Sequence, residues 1–537
     1  MRRIGLRSVV LTSSLLAACA PARASSEPRY GGTLRVELAA ARVSLDPRTW
    51  RAGSLESAAD EKLAALVFER LVAVDNYGRF RSILATEWSH DAASRRWQFT
   101  IRPGVKFSDG SVLTAGDVAA ALQSLLPEGL KISASGAAVS IASATPAPDL
   151  LEMLASGRYF IFRAAQDGTL TGTGPFVEGI APVGAAGAGG GSGPGTNANS
   201  SASGRGSAHL FFHENDTWSG RPFVDAIEVT LGVPPLRAMF DLQLGKADLV
   251  ELAPDLVLRA AQANLRVWTS DAVTLYALRF DDTHSAAADP RLRQAVALSL
   301  ERETMASVLL QKQAQPAAAL LPQWLSGYAF LFRGEANLER ARELQRALPS
   351  NGAGGANPLR LRVEPAGETA KLLGERVAIN ARQAAILIQV ATGTTAHVGA
   401  AAKASVDEPG VGLFAWHYSS LSPRVELDSL FAAYNLEEPQ EANSTNTALS
   451  ATEQEKLYAR EQRVLEAWRV VPLVEQAESV GLGAAVRDWM PARWGEWHLE
   501  DVWLETPLGN DATLSNNAAQ GSAPTAAQPR AASGAKP

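Results

Sequence analysis

The chain has one cysteine, Cys19, in 537 residues, and no other feature limits its architecture as much. No internal disulfide and no thiolate metal cluster can brace the fold, so buried apolar surface must hold it together. With 46% hydrophobic residues the chain can bury a large core, and its length suggests two or three domains.

Cys19 also ends a pattern. Arg2, Arg3 and Arg7 give a positive start, and an apolar run from Val9 to Ala18 follows, too short to span a bilayer stably. The run closes on Leu16-Ala17-Ala18-Cys19, which resembles the bacterial lipobox. Small residues before Cys19 let a peptidase approach the backbone, and the thiol is the nucleophile that accepts a diacylglycerol. The expectation is a signal peptide over 1–18 and a lipoprotein anchored through Cys19 in the periplasm or extracytoplasmic envelope. Losing the three arginines of residues 1–18 takes the net charge from −6 to −9. A mildly acidic chain without a basic run is not expected to bind nucleic acid.

Composition then divides the chain. Residues 19–29 are small, polar and proline-containing, as a tether would be. Residues 184–208 are almost wholly Gly, Ala, Ser and Asn and read as a flexible insert, because no helical pattern opens after the glycines to make a phosphate loop. Residues 507–537 have no aromatics and no periodicity and are expected to be disordered. Between these stretches, strand-like alternation appears at Thr33–Leu38, Trp97–Ile101 and Ala226–Val229. Thr114 and Asp117 make a capping-box signature, Asp289-Pro290 opens a second helix and Asn337 caps a third. Pro103-Gly104 and Asp109-Gly110 read as turns around a short Val105-Lys106-Phe107 strand, and Gly172, Gly174 and Pro175 as a sharp bend where lobes join. The fold class is α/β, in more than one lobe.

Several stretches stand in a recognisable order: Gly31-Gly32-Thr33-Leu34-Arg35-Val36, Leu45-Asp46-Pro47, Phe68-Glu69-Arg70-Leu71-Val72 and Leu84-Ala85-Thr86-Glu87-Trp88. The longest runs from Trp97 through Arg102-Pro103-Gly104-Val105-Lys106-Phe107-Ser108-Asp109-Gly110 to Val118. Gly172-Thr173-Gly174-Pro175-Phe176, Asn215-Asp216-Thr217-Trp218, Arg221-Pro222-Phe223-Val224-Asp225, Leu244-Gly245-Lys246-Ala247-Asp248 and Glu301-Arg302-Glu303 follow. This grammar resembles the family 5 extracellular solute-binding proteins, the peptide- and nickel-binding components of bacterial ABC importers. The resemblance implies a two-lobed periplasmic-binding-protein fold of type II, like that of the peptide-binding proteins, with a lobe split between N- and C-terminal segments. Lobe 1 would span 30–270, lobe 2 271–473, and 474–506 would return to lobe 1. Two crossings would form a hinge, and a solute touching both lobes would stabilise the closed form. A monomer that passes a small, peptide-like solute to an ABC permease is implied too.

In peptide-binding members a Trp-x-x-Asp-Tyr-x-Asp-Pro segment supplies the carboxylate that meets the peptide's α-ammonium. The matching stretch here is Trp416-His417-Tyr418-Ser419-Ser420-Leu421-Ser422-Pro423, in which Ser419 and Ser422 replace both acids. A hydroxyl cannot neutralise an ammonium, and loss of a buried partner costs about 3–5 kcal/mol. Glu426 and Asp428 are close enough in sequence to substitute. Trp416 and Tyr418 are the candidate solute-lining aromatics, with core filling the alternative for Trp416, and Ser419, Ser422 and His417 complete the candidate site.

Other classes find less support. No G-x-S-x-G, H-E-x-x-H, C-x-x-C or Walker-type loop is present, so no enzyme and no cofactor is expected. Of the seven histidines only His209 and His213 stand at a ligand spacing, which does not make a metal site. Receptors for a sugar or a metal complex, and a sensor or scaffold that has lost its solute, remain as alternatives to peptide capture.

Overall fold

The alternation in Thr33–Leu38 becomes a strand, β1, whose Leu34, Val36 and Leu38 are buried while their neighbours are not. It belongs to the computed structural model of this protein, which describes residues 27–179, 208–281, 287–348, 358–364, 367–391, 410–436 and 452–505. Cys19, residues 19–26 of the tether, all but Ala208 of the 184–208 insert and the 507–537 tail lie outside the described residues.

β1 sits inside an eleven-stranded mixed sheet. The other strands, in chain order, are β2 (Phe176–Gly179), β3 (His209–Glu214), β4 (Ala226–Leu231), β5 (Leu249–Leu252), β6 (Arg266–Phe280), β7 (Ala314–Pro316), β8 (Leu359–Val363), β9 (Ile388–Ala391), β10 (Val411–His417) and β11 (Val470–Leu482). The order across the sheet is β2-β3-β4-β1-β5-β11-β6-β10-β8-β9, with β7 on β11. β1 pairs in parallel with β4 and β5, and β8 with β9 and β10, so each half carries a parallel segment. Between them run the two long antiparallel strands β6 and β11, paired from Arg266↔Leu482 to Arg279↔Val470.

Those two strands join the halves, and their pairing slips twice between Thr269 and Thr274. Slips of this kind bend a ladder and leave donors unpaired. Here Ser270 Oγ accepts from the Glu478 backbone N–H at 2.9 Å, which repairs the ladder at the bend. The buried apolar residues divide on either side. Two clusters draw on residues 34–260 and 480–502, and two draw on residues 275–474. Along β6, Tyr276, Leu278 and Phe280 enter one of the latter clusters while Leu275 and Ala277 enter the other, so this strand is buried on both faces.

The local signals behave as side-chain capping chemistry requires. Thr114 and Asp117 make a reciprocal capping box on helix Ala115–Gln123, Asp289 accepts from Arg291 N ahead of Pro290–Ser299, and Asn337 accepts from Arg340 N ahead of Leu338–Arg346. Two expectations change. The Val105-Lys106-Phe107 strand shrinks to one bridge, Lys106↔Val112, because the turns on both sides leave no room for a ladder. Gly172 and Gly174 do not mark a junction of lobes. They let the chain press against the end of helix α1 (Leu55–Val67), where an added Cβ would fall 1.9 Å and 2.8 Å from the Val67 carbonyl oxygen.

Candidate functional site

A cavity of about 30 Å³ lies between the two halves of the molecule. That is room for a water or two and not for a peptide. Its first wall is α1, capped by Ser54 and contributing Ala58, Glu61, Lys62 and Ala65, together with Ser156 and the return segment Trp494-Gly495-Glu496. The opposite wall is Trp324 and the run His417-Tyr418-Ser419-Ser420-Leu421 at the end of β10.

The sequence places this run by alternation. Consecutive strand residues point to opposite faces, so Trp416 enters the core and His417 the cavity. Trp416 is 1% exposed, donates from Nε1 to Glu426 at 2.6 Å and packs on Tyr434 with ring centroids 5.9 Å apart. Tyr418 donates its hydroxyl to the Leu320 carbonyl at 2.9 Å, and its backbone N–H bonds Val273 O on β6 at 2.9 Å. Ser422 is fully buried and caps helix α2 (Pro423–Tyr434) by accepting from Val425 N, while its hydroxyl reaches Asp149 on the other side. Of the candidate set, then, His417, Tyr418 and Ser419 line the cavity, and Trp416 and Ser422 stand behind it. For Trp416 this is the core-filling alternative, and Ser422, expected at the site, caps a helix instead of lining the cavity.

The two possible substitutes for the missing acids differ. Asp428 is partly exposed and pairs with Arg424 and Arg460. Glu426 is buried and accepts from Trp416 Nε1 and from Ser420 N at 2.8 Å, which ties the lining run to α2. Burial pushes the Glu426 carboxyl up to about 7. Two further buried acids lie deeper. Glu461 accepts from the Tyr328 hydroxyl at 2.9 Å, and burial pushes it up to about 7 and Glu475 up to about 8.

The charged side chains that line the cavity, Glu61, Lys62 and Glu496, lie outside the candidate set, and their ion-pair partners stand behind them. Lys62 Nζ lies 2.5 Å from Glu478 and 3.3 Å from Glu251, and 4.7 Å above the Trp497 ring. Arg70 joins Glu61, at 2.7 Å, to Glu496 and also donates to the Gly157 carbonyl. Two signals were available: Lys62, a lysine on the same helical stripe as Ala59 and Leu66, and Arg70, which stands in the Phe68–Val72 motif. Across the cavity, burial pulls His417 down to about 3, with the Lys62 ammonium acting in the same direction, so the imidazole stays neutral.

The halves touch directly around this cavity. Gly53 O accepts from His417 N at 2.8 Å, Leu421 N donates to Ser156 Oγ at 3.0 Å, and Arg424 meets Asp149 at 2.6 Å. This is a closed arrangement. Among the described residues no cluster of three or more His, Cys, Asp or Glu side chains could hold a metal ion, and no helix is long and apolar enough to cross a membrane.

The chain matches the family model of bacterial extracellular solute-binding proteins, family 5 middle, over residues 79–177 and 205–437. It resembles the Haemophilus influenzae OppA complex with the peptide RPPGFSPFR at a TM-score of 0.69, with 14% identity over 88% of this chain and 98% of that one. NikA from Brucella suis in complex with Fe(III)-EDTA gives a TM-score of 0.65 at 18% identity, covering 88% and 100%. The oligopeptide-binding protein AppA from Bacillus subtilis, in complex with a nonapeptide, gives 0.64 at 15% identity, covering 89% and 99%. At these identities the likeness establishes the two-lobed fold.

Proposed function

Since this chain belongs to the bacterial extracellular solute-binding proteins of family 5, we propose that it is the receptor of an ABC importer, anchored through Cys19 outside the cytoplasm. It works as a monomer, captures a peptide or peptide-like solute between its lobes and delivers it to a permease. We place the lobe boundaries inside the two long strands, with 30–270 and 474–506 on one side and 271–473 on the other. The observation that carries this reading is that the cavity walls come from both sides of the β6/β11 bend. A solute touching α1 and the 417–421 run at once favours closure by its differential contacts. Ser419 lines the wall and supplies no charge, so the α-ammonium of a neutral peptide finds only a weak partner there.

The test is calorimetry on the full mature chain with trialanine. Ser419→Asp should raise trialanine affinity at least tenfold, and an unchanged affinity would remove this position from the site. A second reading, a sensor or scaffold that has lost its solute, is favoured by the small volume of the closed cavity. Native mass spectrometry of the protein purified from its own host separates the two. A retained solute supports the receptor, and a bare mass at every preparation supports the scaffold.

A further inference from the structure

The cavity's charge is unbalanced. The charged side chains that line the cavity are Lys62 and two carboxylates, Glu61 and Glu496. Behind them Lys62 is shared between Glu251 and Glu478, and Arg70 bridges Glu61 and Glu496. Each cation therefore faces two carboxylates, and the groups are net negative once Glu61 is ionised; His498, a further cation near Glu496, is taken up by Glu500 at 3.4 Å. The opposite wall adds no positive charge, because His417 is buried and neutral. Three aromatic side chains, Trp324, Tyr418 and Trp494, line the same cavity. Carboxylates with aromatic walls in a partly desolvated site attract organic cations and repel anions.

We propose that the cleft selects a compact organic cation, an alkylammonium or guanidinium head meeting Glu61 and Glu496 with its aliphatic part against Trp324, Tyr418 and Trp494. This rests on the cleft being the solute site. It moves charge recognition from the Ser419–Ser422 segment, which supplies no acid, to helix α1 and the return segment. The shared chemistry is found in lysine- or arginine-containing peptides and in linear diamines. Glu61 faces Arg70, Glu496 and Lys62, with Glu426 behind the opposite wall, and burial pushes it up to about 7. Cation affinity therefore rises as the pH goes from 6 to 8.

The experiment is calorimetry on the full mature chain with trilysine, 1,5-diaminopentane, trialanine and triglutamate. Trilysine or 1,5-diaminopentane should bind at least tenfold more tightly than trialanine, and triglutamate should not bind; which cation wins tells peptide from diamine. Glu496→Gln should weaken the cationic probe at least tenfold, and more than it weakens trialanine; an unchanged cation affinity would overturn the assignment. Trp494→Ala, at a partly exposed position, is the second variant should the Arg70 group fold poorly without Glu496. Trialanine or triglutamate binding as tightly as the cations would overturn the charge selection and leave the receptor reading standing. Binding of none of the four would overturn both.

Discussion

Gly53, just before the cap of α1, packs against Trp416 of the opposite half, and Gly53→Ala tests whether that contact holds the lobes shut. Its φ is +71°, and an added Cβ would lie 2.1 to 2.4 Å from three ring atoms of Trp416. The indole cannot yield, being 1% exposed and held through Nε1 by Glu426. An alanine at this φ costs about 1–2 kcal/mol, strain that an opened loop can relax. Moving residue 53 away also breaks the bond from His417 N to its carbonyl, about 1 kcal/mol more. The closed form thus loses about 2–3 kcal/mol before any steric term, roughly a 30- to 140-fold shift toward open. Small-angle scattering of the solute-free protein should show a larger radius of gyration. The melting temperature should barely move, because no core within either lobe is touched. Scattering identical to wild type would refute the claim that this contact holds the lobes together.

Two further outcomes are expected. Ser422→Ala removes the cap of α2 and the hydroxyl that meets Asp149, and should cost about 1 kcal/mol, seen as a lower urea midpoint at unchanged slope. Glu475, raised to about 8 by burial with Glu461 adding to the shift, stabilises the fold only while protonated. That contribution is complete below about 4.5 and is lost as the pH rises toward 8. Glu475→Gln should therefore gain on wild type by roughly 3–4 kcal/mol between pH 5 and 8 in thermal melts, and a gap that does not vary with pH would contradict the burial argument.

The sequence was most legible where the deciding chemistry is local. The capping box at Thr114 and Asp117, the Asp289-Pro290 start and the Asn337 cap each need only side chains reaching backbone groups two or three residues away. Legibility fails where a residue's neighbour is distant in the chain. Nothing near Gly172 announces the Val67 carbonyl against it. The 416–423 segment was found, yet its side chains could be sorted only in part. Alternation alone could have separated Trp416 from His417, but Ser422 turns away because it caps α2. Glu61, Lys62 and Glu496 were missed because ordinary charged residues on a helix and a loop become a site only when the return segment folds back beside α1.

The small cavity changes what closure means for binding. A solute of peptide size needs the lobes farther apart than about 30 Å³ allows, so it cannot keep every contact that closes them here. Gly53 against Trp416, Leu421 on Ser156 and the Asp149 pair with Ser422 and Arg424 then act as competitors of the solute. Apparent affinity falls by the fraction of molecules whose lobes are open enough to bind. Gly53→Ala raises that fraction and should tighten the binding of a cationic probe even though it removes contacts from the protein. Weaker binding in that variant would mean that the solute fits between lobes still joined at Gly53, and therefore that it is smaller than a peptide.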